Sequence, residues 1–117
     1  MAFPFARALF LAAFTLPMAG LGVSFAAAAI APAPAVQVAI KSFAFTPQVL
    51  TVTVGTTVIW TNSDEDPHTV TAVDKSFRSG ALDTGGKFSY TFTRAGEFAY
   101  FCQLHPHMTG KVIVKAR

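Results

Sequence analysis

The stretch Phe101-Cys102-Gln103-Leu104-His105-Pro106-His107-Met108-Thr109-Gly110 constrains this chain more than any other part. It holds the only cysteine, two of the three histidines and the only methionine outside the N-terminal leader. A strand-like run, Glu97 to Phe101, leads into it, and another, Lys111 to Lys115, leads out. A connection between two strands ordinarily draws on Gly, Asn or Asp, which tolerate the backbone of tight turns. Here a thiol, an imidazole and a thioether arrive together at a strand end. Such soft ligands select copper or zinc over hard cations.

The remaining chain reads as scaffold for that loop. Short runs rich in Val, Ile, Thr, Phe and Tyr recur between turn residues: Val36 to Lys41, Val49 to Val54, Thr57 to Thr61, His68 to Val73, Phe88 to Thr93, Glu97 to Cys102 and Lys111 to Lys115. Period two dominates, and no stretch carries the spacing of a long amphipathic helix. This predicts an all-β chain, a Greek-key two-sheet β-sandwich of seven to eight strands. The stretch from Asp74 to Lys87, with Gly80, Gly85 and Gly86, reads as a loop or a short helix.

Residues 1–31 have the order of a secretory signal: Arg7, then no charge from Ala8 to Ala31, with Ala26-Ala27-Ala28-Ala29 near the end. Cleavage is expected near residues 28–31, which places the protein in the periplasm. An uncleaved leader would instead tie it to a membrane, although Pro17, Gly20, Gly22 and Ser24 interrupt the apolar run. Residues 32–35 read as a short linker and 36–117 as the domain. Without the leader the chain keeps eight Lys+Arg against six Asp+Glu, a net charge of +2. The basic residues are scattered singly, which excludes a nucleic-acid footprint. One cysteine cannot form an internal disulfide, and a lone thiol in an oxidising compartment is a liability unless a metal occupies it.

Taken singly, Cys102 reads as a buried core thiol and His105 and His107 as polar turn residues. Together, C-x2-H-x2-M lets three side chains converge past a strand end. A mononuclear copper site cycling between Cu(I) and Cu(II) uses two imidazoles, one thiolate and a weak axial thioether. The loop supplies three of these, and His68, in Asp66-Pro67-His68-Thr69-Val70, is the one histidine left for the fourth. It also reads as an ordinary surface turn residue after Asp64-Glu65-Asp66.

Pro67-His68-Thr69-Val70, Thr91-Phe92-Thr93-Arg94-Ala95-Gly96, Tyr100-Phe101-Cys102 and His105-Pro106-x-Met108 with Gly110-Lys111-Val112 resemble the blue copper proteins, the cupredoxins, most of all their amicyanin branch. The resemblance covers residues 36 to 116. It implies a cupredoxin-like sandwich holding one copper ion, with His68, Cys102 and His105 as equatorial ligands, Met108 as the axial one, and the Thr69 amide donating to the thiolate. His68 would be brought to the loop from the far sheet. The implied function is an electron carrier, not an enzyme: an exported type 1 copper protein, expected to be monomeric. It would transfer single electrons between redox protein partners such as a cytochrome, dehydrogenase or oxidase. The alternative is a periplasmic copper carrier or storage protein using the same ligands. A catalytic multicopper enzyme needs more than three histidines, and methionine is a poor zinc ligand.

Two residues depart from the family pattern. Leu104 stands where relatives usually have proline, and its N–H, which proline lacks, is expected to reach the thiolate and raise the reduction potential. His107 either competes with His105 or lies exposed beside the site.

Overall fold

The computed structural model describes residues 2, 4, 11–24 and 33–117. Two compact units divide at residues 30 and 31. In the first, residues 11–24 form no helix or strand and are exposed. The expected cleavage site at 28–31 lies outside the described residues. No helix among the described residues is long and apolar enough to cross a membrane.

The second unit contains eight strands and, among the described residues, no helix: β1 (Ala35–Lys41), β2 (Ala44–Thr46), β3 (Val49–Thr53), β4 (Thr57–Asn62), β5 (Thr71–Ala72), β6 (Lys87–Thr91), β7 (Gly96–Phe101) and β8 (Thr109–Lys115). They form two mixed sheets, β2-β1-β4-β6 and β3-β8-β7-β5. Strand β1 runs parallel to β4, and β3 parallel to β8, so the chain crosses between sheets instead of folding as successive hairpins. This is the expected all-β sandwich. Alternation decides what faces inward: Val38 and Ile40 from β1, Val58 and Trp60 from β4, Phe98 and Tyr100 from β7, and Val112 and Val114 from β8 are buried.

Three local readings change and a fourth narrows to one of its alternatives. Ala35 belongs to β1 and not to a linker. Strand β2 went unread because it follows a two-residue turn, Ser42-Phe43, between paired Lys41 and Ala44. Both turn residues adopt left-handed backbone, φ 53° and 56°. Such turns normally use Asn-Gly or Gly-Gly, and the left-handed region costs other residues about 1–2 kcal/mol each. The run from His68 to Val73 shrinks to β5, because the Thr69 and Val70 N–H groups donate to Cys102 Sγ and Ser79 Oγ and not to a neighbouring strand. His68 therefore sits on the segment that crosses from β4 in one sheet to β5 in the other, and not on a strand of the far sheet. Finally, the stretch from Asp74 to Lys87 is a loop, pinned by its own Phe77. That ring is 4% exposed and packs on Tyr90 at 4.8 Å and Phe92 at 5.6 Å.

Candidate metal centre

Strand parity places the cysteine and the methionine. In β7 the inward row runs Phe98, Tyr100 and then, one step past the strand, Cys102, which is fully buried. In β8 the inward row runs Val114, Val112, Gly110 and then Met108, which is 2% exposed. Tyr100 and Gly110 are paired across the two strands. The ladder continues one step further, with Cys102 N–H donating to Met108 C=O at 3.0 Å. A side chain at 110 would overlap the Tyr100 ring, so glycine is required there. Between them Met108 N–H donates to His105 C=O at 2.9 Å, which closes the loop and leaves His105 half-buried.

His68 arrives from the crossing segment. Its backbone pairs with Leu82 in both directions, at 3.1 and 2.7 Å, and its side chain has no exposed surface. Asn62, the buried last residue of β4, shapes this segment: its side-chain amide donates to Asp66 C=O and Leu82 C=O and accepts from Asp64 N–H, all within 2.9 Å. Thr69, the residue after His68, fixes the cysteine. Thr69 N–H donates to Cys102 Sγ at 3.3 Å, and Thr69 Oγ1 accepts from Gln103 N–H at 2.7 Å.

His68, Cys102 and His105 thereby present ligand atoms that all lie within 4.8 Å of one another. Bonds of about 2.0 Å to nitrogen and 2.3 Å to thiolate, meeting in a plane, would place each nitrogen roughly 3.8 Å from the sulfur. The observed separations are 3.7 Å from His68 Nδ1 and 3.8 Å from His105 Nδ1. The donor set and its spacing fit a single metal ion.

A family model for a cupredoxin-like domain matches residues 9–114. The chain belongs to the cupredoxin-like family. The amicyanin of Paracoccus versutus is 39% identical over 75 residues, covering 60% of this chain and 56% of the relative. The amicyanin-alpha of Methylorubrum extorquens is 33% identical over 84 residues, covering 68% and 71%. A solved copper(I) form of an amicyanin variant superposes with a TM-score of 0.66 at 34% identity, covering 69% of this chain and 82% of that one. The chain spans 56% of the length of the two Paracoccus amicyanins it matches.

Of the residues singled out in this cupredoxin's sequence, His68, Cys102 and His105 come together, and Met108 is buried on the same loop. His107 is exposed, outside the three-residue cluster. Thr69 is the backbone amide bonded to the sulfur; among the described residues no such bond comes from Leu104, whose side chain is 50% exposed. The expectation that Leu104 stabilises the thiolate is therefore withdrawn. Sequence reasoning missed Asn62, Phe43 and the role of Asp64. The acidic run Asp64-Glu65-Asp66 gave only the context of a surface turn, yet Asp64 turns inward to Nε2 of His68 at 2.9 Å. The Phe43 amide holds the Asp64 carboxyl below the usual carboxylate range, against a smaller desolvation effect. Asn62 carried one signal: an Asx residue at a strand end, two positions before Asp64, is a recurrent turn former.

Proposed function

We propose that His68, Cys102 and His105, with the buried Met108 thioether as a weak fourth donor, would hold one copper ion, and that this cupredoxin transfers single electrons between redox proteins. The carrying observation is the convergence of two Nδ1 atoms on one thiol sulfur at 3.7 and 3.8 Å in a chain of this family. Copper, when bound, supplies a one-electron couple that such a His2Cys set with a weak thioether tunes. The chain's own residues do the rest. Thr69 N–H stabilises the thiolate charge, the Met108 carbonyl accepts from Cys102 N–H, and the Thr69 hydroxyl accepts from the next amide along, Gln103 N–H. Burial of His68 and Cys102 keeps water from one side of the centre. His105, at the surface edge, is the exit for the electron.

Exposed Leu104 and Pro106, the chain neighbours of His105, and Phe43, whose ring stands edge-on to it, offer an apolar patch of the kind that suits brief redox encounters. The partners are redox proteins such as a cytochrome, dehydrogenase or oxidase, met by a monomer. The uncharged stretch after Arg7 supports export to the periplasm with loss of residues 1–31. Addition of Cu(II) to the purified protein tests this reading. One equivalent should produce an intense blue absorption band and a reversible one-electron wave. Tight Cu(I) uptake without the band would favour the carrier or storage role, and no uptake would overturn both.

A further inference from the structure

Asp64, just past the Ile40–Asn62 pairing of β1 and β4, joins the Ser42-Phe43 turn to His68. Its Oδ1 accepts from Ser42 N–H at 2.7 Å, and its Oδ2 accepts from Phe43 N–H at 2.9 Å and lies 2.9 Å from Nε2 of His68. The two amides belong to the turn whose backbone is left-handed at both residues. A bulky phenylalanine at positive φ is an outlier that persists only where its surroundings hold it there, and such outliers gather at functional sites. The Phe43 ring stands edge-on to both imidazoles. Its centroid is 5.2 Å from that of His68 at 87°, and 5.1 Å from that of His105 at 85°. The ring that the turn displays at conformational cost covers the two histidines of the centre.

We propose that Asp64 and Phe43 are positioning residues for the metal centre. Asp64 Oδ2 accepts a hydrogen bond from Nε2–H of His68, which fixes the tautomer and leaves the Nδ1 lone pair facing Cys102 Sγ. Through its bonds to the Ser42 and Phe43 amides the same carboxylate holds the aromatic ring against both imidazoles, so their planes are set before an ion arrives. A carboxylate that served only as a turn cap would have no reason to share one oxygen between Phe43 N–H and His68 Nε2–H.

The inference rests on the copper reading for its consequence, while its first test needs no metal. Nitrogen-15 NMR of the metal-free protein should show His68 as the Nε2–H tautomer with slow exchange of that proton. Asp64→Ala should mix the tautomers and weaken Cu(I) binding, read by competition with a chromophoric chelator, by about 10–100-fold. Asp64→Asn, which keeps one acceptor oxygen, should recover most of the affinity, and Phe43→Ala should keep the tautomer while weakening binding less. A wild-type protein with the proton on Nδ1 overturns the proposal even if Asp64→Ala fails to fold. So does a folded Asp64→Ala protein with unchanged tautomer and affinity. A protein that takes up no copper yet shows the Nε2–H tautomer would defeat the copper reading alone.

Discussion

The two imidazoles of the centre are held in opposite ways. His68 is fully buried, its backbone paired with Leu82 in both directions and its Nε2 bonded to Asp64. His105 is half-buried on a tight loop supported by backbone bonds between Cys102, Met108 and His105. Side-chain hydrogen bonds from Asn62 and Asp64 build the first half of the site, and the continuing β7–β8 ladder builds the second. The difference suits electron transfer, which needs ligands that move little between oxidation states and one edge that a partner can approach. A site with both histidines buried would meet the first need alone.

Removing each imidazole should break the comparison most plainly. Added imidazole should restore most of the blue band to copper-loaded His105→Gly, because the gap opens to solvent. It should restore little to His68→Gly, whose gap lies under Phe43 and the crossing segment. Equal rescue of both would show that the burial difference does not govern access.

The ladder side carries the next effect. Burial pushes the Tyr100 hydroxyl from 10.0 up to about 12. Trp60 Nε1 opposes this slightly, although neither it nor the hydroxyl reaches hydrogen-bond geometry, so burial sets the direction. Below pH 10 the group is neutral in both states and its contribution is fully present. Between pH 10 and 12 the unfolded chain ionises first, so about 3 kcal/mol of stability should be lost as pH rises through the folded value. Denaturant unfolding against pH checks this, and Tyr100→Phe should flatten the curve.

Gly110→Ala should cost about 1–3 kcal/mol by forcing the Tyr100 ring out of its place against Phe45 and Trp60. The His68 Nε2–H signal should stay where it is, since the crossing segment is held separately. The smallest effect belongs to Leu104→Pro. With Thr69 as the amide on the sulfur, the reduction potential should hardly move, and a clear fall in voltammetry would show that the Leu104 N–H reaches the thiolate after all.

Much of this was legible before any coordinates. Alternation made the sandwich legible, and the C-x2-H-x2-M spacing singled out Cys102, His105 and Met108; that Cys102 and Met108 continue the inward rows of β7 and β8 is visible only once the strands are paired. His68 was found by elimination, since one other histidine remained outside the loop. What stayed hidden depended on long-range bonds. The Ser42-Phe43 turn breaks the usual residue rule for its backbone and is held by a carboxylate from another segment. The acidic run Asp64-Glu65-Asp66 gives no local sign that its first member faces inward. Whether Leu104 N–H meets the sulfur is set by the path of the loop, and residue identity alone could not decide it.

The central claim is that one thiolate and two imidazoles, one buried and one at the edge, share a single copper ion. X-ray absorption at the copper edge tests it most directly. One bound equivalent should show two histidine nitrogens and a single short cysteinyl sulfur bond of about 2.3 Å or less. A first shell without sulfur, or with only one histidine, would contradict the account.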